Sequence, residues 1–439
     1  MQLMDKPNTL IYLASIKKFF KNLGPGVVTG ASDDDPSGIA TYSQVGAQFG
    51  FNSLWFVLYP MMIAIQEMCA RIGLVTGVGL GNALKKQFSN KVVFPITTLL
   101  LIANTINIGV DIGAMAASTN LIFPQIPNFA FALCFTGLII CAEIFIPYKK
   151  YVRILKYLAL SLFAYVLTAI IIGGNLHEIV LAGIIPSIEF NSAFAMMSVA
   201  MLGTTISPYL FFWQASEEAE EDVAKNKISD VGIGTPKISK REIKTMRLDV
   251  VIGMGFSQMI MWFIILTAAG TLHLNGITNI TSAEEAAKAL EPLVKTFPHS
   301  GEASKIIFAL GIIGTGLLAI PVLAGSSAYA LSDGFGWKQG LSKKFRQAKA
   351  FYITILISTI IGLGINFINI NPITALIYTA VINGIVTVPM LFVIMKIANN
   401  KKILHEKTNG KISNILGWFT FALMSISVVV MFAMFLFFK

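Results

Sequence analysis

Residues 23–50 read LGPGVVTGASDDDPSGIATYSQVGAQFG, and residues 201–221 read MLGTTISPYLFFWQASEEAEE. Each is an apolar run of membrane-spanning length with a polar interruption and a proline in its middle. Proline removes a backbone donor and clashes with the preceding turn, and glycine adds freedom, so both helices are predicted to break. Irregular backbone survives at membrane depth only where it lines a cavity or is buried in protein. Corresponding breaks in two halves of a chain point to a transporter built from inverted repeats, with its substrate between them.

The rest of the chain agrees. It has 439 residues, 55% hydrophobic and only 13% charged, with a mean hydropathy of +0.72. Soluble domains carry about 25% charged residues. The composition therefore excludes a soluble enzyme, a disordered chain and a disulfide scaffold. The three cysteines, Cys69, Cys134 and Cys141, lie in apolar stretches without CxxC spacing and read as buried small hydrophobes. The first twenty residues lack an apolar core followed by a small-residue cleavage site, so no cleaved signal peptide is expected.

Runs of about 20 apolar residues fall at roughly 20–48, 51–75, 92–118, 129–147, 154–174, 191–217, 250–272, 304–331, 351–368, 372–396 and 414–438. With the amino terminus cytoplasmic, alternate connections hold 29 of the 33 basic residues, and only Lys288, Lys295, Lys305 and Lys439 lie opposite. The formal charge of +10 thus sets topology rather than binding nucleic acid. The predicted fold is an all-α polytopic membrane protein of eleven transmembrane helices in one domain, residues 1–439. A first repeat covers about 20–174, an inverted second repeat about 191–396, and one extra helix about 414–438.

A charged side chain at mid-membrane costs roughly 2.5–3.5 kcal/mol, so Asp33, Asp34 and Asp35 need compensation. One reading is a cation site, with Asp35, directly before Pro36, as ligand and Asp34 lining the approach. The other is an exposed loop with the aspartates as helix caps. The second break offers only oxygen, from Thr204, Thr205 and Ser207. That chemistry suits hard ions such as magnesium, calcium and manganese. A plain proline kink with Ser/Thr back-bonding is the alternative there.

These residues resemble the NRAMP family of divalent-metal transporters over essentially the whole chain. Family members carry DPGN at the first break and Met-Pro-His at the second; the matching stretches are Asp35-Pro36-Ser37-Gly38 and Ser207-Pro208-Tyr209. The segment QEMCARIGLVTGVGLGNALKK, residues 66–86, also resembles the family's at that place. The resemblance implies a LeuT-type fold with metal held between broken helices one and six. It places the family's metal-binding Asp on Asp35, its Asn on Gly38, its soft Met on Ser207 and its contributing carbonyl on Thr204. Its two histidines fall on Tyr209 and Gln214, and its acidic pair in the third span on Asn107 and Val110. A Gln that can touch the metal falls on Val381 by an ungapped count, with Asn383 nearby. Losing both the soft ligand and the proton-moving groups is the pattern of the family's magnesium-transporting branch.

The implied metal set is Asp35, Ser207, Thr204, Gly38, Asp34 and Asn383, with no resident cofactor. A wider, oxygen-only site suits a partly hydrated magnesium ion and also admits manganese. A potential of 100 mV is worth about 4.6 kcal/mol for a divalent ion, so uptake needs no proton coupling. The chain is expected to act as a monomer in the bacterial inner membrane, with the metal ion as substrate and the lipid bilayer as surroundings. A proton-coupled manganese or iron importer of the ordinary family type is the alternative. An intramembrane enzyme using Asp33–Asp35 for magnesium-diphosphate lacks a facing DxxxD cluster. A transporter of organic carboxylates would place an aspartate where it repels its substrate.

Among weaker signals, the acidic run Glu217–Asp222 reads either as a cation-attracting vestibule or as a solvated helix end. Glu67 and Glu143 read as paired structural charges, and His177, His273, His299 and His405 as surface residues. Residues 281–295 read as a short amphipathic helix with Ser282/Glu285 capping-box spacing.

Overall fold

The computed structural model describes residues 24–56, 58–146, 159–368 and 370–437. The basic residues Lys6, Lys17, Lys18, Lys21, Lys149, Lys150, Arg153, Lys156 and Lys439 lie outside the described residues, as does the start of the predicted fifth span.

The principal helices are α1 (Pro25–Asp33), α2 (Pro36–Phe49), α3 (Tyr59–Thr76), α4 (Leu80–Gln87), α5 (Asn90–Asn120), α6 (Asn128–Phe145), α7 (Phe163–Ile172), α8 (Leu176–Ile184), α9 (Ser192–Thr205), α10 (Pro208–Ala224), α11 (Lys240–Thr271), α12 (Ser300–Phe335), α13 (Lys349–Ile365), α14 (Pro372–Ala398) and α15 (Lys411–Phe437). Among the described residues, seven helical segments are long and apolar enough to cross a bilayer: α5, α6, the α9–α10 pair, α11, α12, α14 and α15. The α3–α4 pair is an eighth if taken as one span, but it bends by 81° at Gly77, whose φ of +64° suits a residue without Cβ. Leu160–Ile172 and α13 are shorter apolar helices. The predicted spans at 20–48, 51–75, 154–174 and 351–368 therefore fall on broken, bent or short helices.

Both predicted breaks are present, with nearly the same backbone. After α1, Asp34 turns to φ −83°, ψ 60° and Asp35 is extended at φ −70°, ψ 172°. After α9, Ile206 turns to φ −111°, ψ 64° and Ser207 is extended at φ −77°, ψ 130°. In each case proline then opens the next helix, where its missing N–H costs nothing.

Around the breaks, α1 and α2 pack on α11, α10 on α3, α9 on α14, and α12 on α5. Glycines let backbones meet. A Cβ on Gly46 of α2 would lie 2.4 Å from Ile265 O of α11, and one on Gly73 of α3 would lie 2.1 Å from Ala215 O of α10. Such close approach is how helices pack where lipid removes the hydrophobic drive between them.

By contrast, α6 and α15 bury little of their surface. Cys134 and Cys141 lie on the exposed face of α6, and only Cys69 is buried, which corrects the sequence expectation. An apolar stretch need not be interior when its outer face meets lipid. The 281–295 segment is helical as expected, running from Ala283–Ala287 through a 3-10 turn at Lys288–Leu290 into Glu291–Val294. Ser282 Oγ accepts from Glu285 N, but Glu285 returns its bond to Thr281 N, one residue before the capping-box partner.

Candidate functional site

Asp35 closes the first break. Its Oδ1 accepts from Gly38 N and from Ser37 Oγ, both at 2.7 Å, and its Oδ2 accepts from Asn107 Nδ2 of α5 at 2.9 Å. Asp35 is thus a helix cap, but a buried one at 1% exposure rather than part of an exposed loop. Gly38 brings the two breaks together: a Cβ there would stand 3.2 Å from Thr204 Oγ1.

Asp33 and Asp34 turn the opposite way. Ser257 Oγ of α11 lies 2.5 Å from Asp33 Oδ2 and 3.3 Å from Asp34 Oδ1, while Asp33 Oδ1 and Asp34 Oδ2 have no hydrogen-bond partner among the described residues. The chain leaves helical geometry at Asp34 and Asp35, where the two directions part, so one acidic triplet serves two faces.

A fourth carboxylate belongs to this group, and matching by motif misses it. Asp111 of α5 follows the aligned Val110 directly. It is fully buried, within electrostatic reach of Asp35, and neither of its oxygens has a partner among the described residues. It is the sole acid in the 31 residues of α5, a signal that is present in the sequence. No Lys, Arg or His among the described residues forms an ion pair with Asp33, Asp34, Asp35 or Asp111. Buried carboxylates without a basic partner must be balanced by protons or by a bound cation.

At the second break, Ser207 Oγ lies 2.6 Å from Thr204 O and 3.1 Å from Gly203 O. This is the back-bonding alternative, and it aims Ser207 at the Thr204 carbonyl. Thr204 Oγ1 is buried without a partner among the described residues. On α14, Thr387 Oγ1 donates to Ile206 O at 3.1 Å, and Gly203 meets Ala380 and Gly384 backbone to backbone. Asn383 sits between those contacts, 1% exposed, with neither amide atom partnered among the described residues. The structure thus brings Asp35, Gly38, Thr204 and Ser207 to adjoining ends of the breaks and sets Asn383 on the helix beside them. Asp34 faces Ser257 instead.

The two residues standing where the family carries histidines are joints. Tyr209 Oη donates to Ser32 O at 2.9 Å, and Gln214 Oε1 lies 2.6 Å from Thr29 Oγ1. Both tie α10 to α1. Farther along α1, Asp249 of α11 accepts from Gly24 N at 2.8 Å and from Gly26 N at 2.7 Å. On the opposite side, Gln44 of α2 donates to Thr278 O and accepts from Ile280 N. A cavity of about 10 Å³, lined among others by Ile39, Phe308, Ile312 and Leu376, is what remains there. The site is closed from both sides, and the room expected from Gly38 is bounded by Thr204 Oγ1 and the Tyr42 ring.

The acidic run divides between the two readings: Glu218 and Glu221 line a cavity of about 430 Å³ beside Asp249, and the rest are held by neighbours. Glu220 accepts from Tyr329 Oη, Leu341 N and Ser342 N; Asp222 pairs with Lys227, and Glu221 with Lys225. Glu67 pairs with Arg71 at 2.9 Å and Arg247 at 2.8 Å, whereas Glu143 has no partner among the described residues. His273 is half-buried, its Nδ1 2.8 Å from Ala47 O, and the other histidines are exposed. No group of three or more His, Cys, Asp or Glu converges on a metal-sized point among the described residues.

The chain is similar to proteins of known class. It is 25% identical over 421 residues to the divalent metal cation transporter MntH of Caldanaerobacter subterraneus, covering 93% of this chain and 91% of that protein. It is 26% identical over 314 residues to MntH of Nostoc, covering 68% and 66%. Its fold matches that of the Eremococcus coleocola manganese transporter with a TM-score of 0.71 at 16% identity, over 96% of this chain and 89% of that one. It also matches, with a TM-score of 0.55 at 12% identity, the closed conformation of the nucleobase-cation-symport-1 transporter Mhp1, over 94% and 92%. A model of the natural resistance-associated macrophage protein-like (Nramp) family covers residues 26–434, so the chain belongs to that family and is a membrane transporter, not an enzyme.

Proposed function

We propose that the chain imports divalent metal ions, magnesium and also manganese, across the bacterial inner membrane by alternating access and without proton coupling. The observation that carries the reading is a set of four buried aspartates lacking any basic partner among the described residues, three at the first of two matched helix breaks and the fourth, Asp111, on α5 within electrostatic reach of Asp35. Divalent-metal chemistry is supported by the relatives named above. A preference for magnesium is supported by the donors: the Asp35 carboxylate, the Ser207 hydroxyl, the Thr204 carbonyl, backbone alone at Gly38, and the amide of Asn383 give oxygen without sulfur. Asp34 completes the set on leaving Ser257.

Eleven spans with a cytoplasmic amino terminus remain our reading of the topology, the broken α1–α2 pair and the shorter α7 and α13 counting as spans. Two inverted repeats are supported by the equivalent backbone at the breaks. The crossed packing, α2 on α11 and α10 on α3, supports them too. The protein acts as a monomer in the bilayer.

Asp111 favours a second reading, a proton-coupled manganese or iron importer, because it supplies a buried titratable group beside Asp35 in place of the acids absent at Asn107 and Val110. Uptake of magnesium and of manganese into proteoliposomes, with a pH-sensitive dye inside, separates the two. Asp35→Ala abolishes uptake of both ions on either reading, and transport at the unaltered rate would remove Asp35 from the site. Uptake driven by membrane potential with no acidification supports uniport. Stoichiometric acidification that disappears in Asp111→Asn establishes the proton-coupled reading instead.

A further inference from the structure

A sizeable cavity lies away from the breaks, on the lysine-rich face. It measures about 480 Å³ and is bounded by α4, the 230–233 turn and the 336–343 connection. That volume lies within the ordinary range for small-ligand sites. Four lysines line it: Lys85, Lys86, Lys338 and Lys343. Lys343 is neutralised by Asp230, with both carboxylate oxygens at 2.7 Å. No carboxylate among the described residues forms an ion pair with the other three. Three positive charges thus line one concavity without an ion-pair partner among the described residues, the buried Asp333 beneath them lying within electrostatic reach of Lys85.

The walls are held in place. Gly232 N donates to Gly77 O at 2.8 Å, which pins the turn to the bend between α3 and α4. Asn82 of α4 and Gln339 of the far wall both donate to Asp333 Oδ1, at 2.6 and 2.8 Å, and so fix the floor. On the rim, the Trp337 ring stacks on Phe335 with centroids 4.8 Å apart and planes at 15°, and Phe335 in turn meets Phe94 at 5.4 Å. All three rings are exposed. Exposed aromatic residues at helix ends mark the headgroup level of a membrane.

We propose that this cavity binds a phosphate-bearing anion, whose oxygens draw Lys85 and Lys86 of α4 and Lys338 of the 336–343 connection onto one ligand. Phosphate matches the compact ammonium charges, and the aromatic rim opens the cavity to anionic lipid headgroups as well as to soluble phosphate. Occupancy would cross-link α4 to the connection after α12 and so stiffen the lysine-rich face.

The test uses the full chain in nanodiscs and follows thermal unfolding. One arm compares phosphatidylcholine discs with discs containing added phosphatidylglycerol; the other titrates phosphatidylcholine discs with inorganic phosphate. A rise in Tm with phosphatidylglycerol alone identifies a lipid headgroup, and a rise with inorganic phosphate identifies a soluble ligand. Either supports the site, provided that Lys85→Gln/Lys86→Gln/Lys338→Gln abolishes the rise and Lys401→Gln/Lys402→Gln/Lys411→Gln, which removes as many charges outside the cavity, keeps it. Each lysine near a phosphate is worth about fivefold in affinity. The exposed single variant Lys86→Gln should therefore weaken binding by about that factor, even if the triple variant folds poorly. No rise in either arm, or a rise equally large in the cavity variants, overturns the proposal.

Discussion

Ser207, the position that the family resemblance gives to a soft thioether ligand, has its hydroxyl spent on the Thr204 carbonyl at 2.6 Å. Replacing it changes two things together. Ser207→Met frees that carbonyl to face the substrate and adds a sulfur that favours manganese over magnesium. The manganese-to-magnesium uptake ratio in proteoliposomes should rise about five- to tenfold, equivalent to ~1 kcal/mol. A ratio equal to that of the parent protein would mean that Ser207 does not face the ion. Asp111 carries a complementary lesson. An aspartate one position off an aligned column escapes a comparison by motif, although its burial without a partner makes it one of the costlier side chains in the fold.

At the level of the elements, the crossing of α1 and α11 is a contact of backbones. A Cβ on Gly30 would fall 2.1 Å from Gly253 O, and one on Gly253 would fall 2.0 Å from Gly26 O. No rotamer relieves a clash with main chain, so Gly253→Val should push α1 off α11 and take the first break with it. The yield of monodisperse protein is expected to collapse, and unaltered thermal stability in the variant would refute the crossing. Gly137 on α6 provides the contrast, since a Cβ there would meet nothing within 4 Å. Gly137→Ala should leave stability unchanged or raise it by up to ~1 kcal/mol, because alanine is the better helix former.

For the molecule as a whole, the closed arrangement depends on a few polar clasps across otherwise apolar helices. On one side, Asp249 holds two amides at the start of α1; on the other, Gln44 holds the connecting chain at 278–280. Alternating access requires one clasp to open while the other holds. Asp249→Ala leaves the first amides of α1 without their acceptor, so the lysine-rich side should open more often. With Cys69, Cys134 and Cys141 replaced by alanine, Ser207→Cys should label several times faster from that side in the Asp249→Ala background. Equal labelling rates would show that the clasp does not govern access.

Much of this architecture is legible in the residues alone. Long apolar runs allow little but membrane helices, because unpaired backbone groups cannot be left in lipid. Pro36 and Pro208 break their helices whatever surrounds them, since the missing donor and the ring clash are local properties. The direction of the side chains at the breaks is not legible. Asp34, Asp35, Ile206 and Ser207 lie outside helical geometry, so the 3.6-residue period that assigns a residue to a face no longer applies. Only the packed helices decide that Asp33 and Asp34 meet Ser257 while Asp35 meets Asn107. The same limit explains Cys134 and Cys141: apolar sequence reads alike against protein and against lipid, and only tertiary packing separates the two.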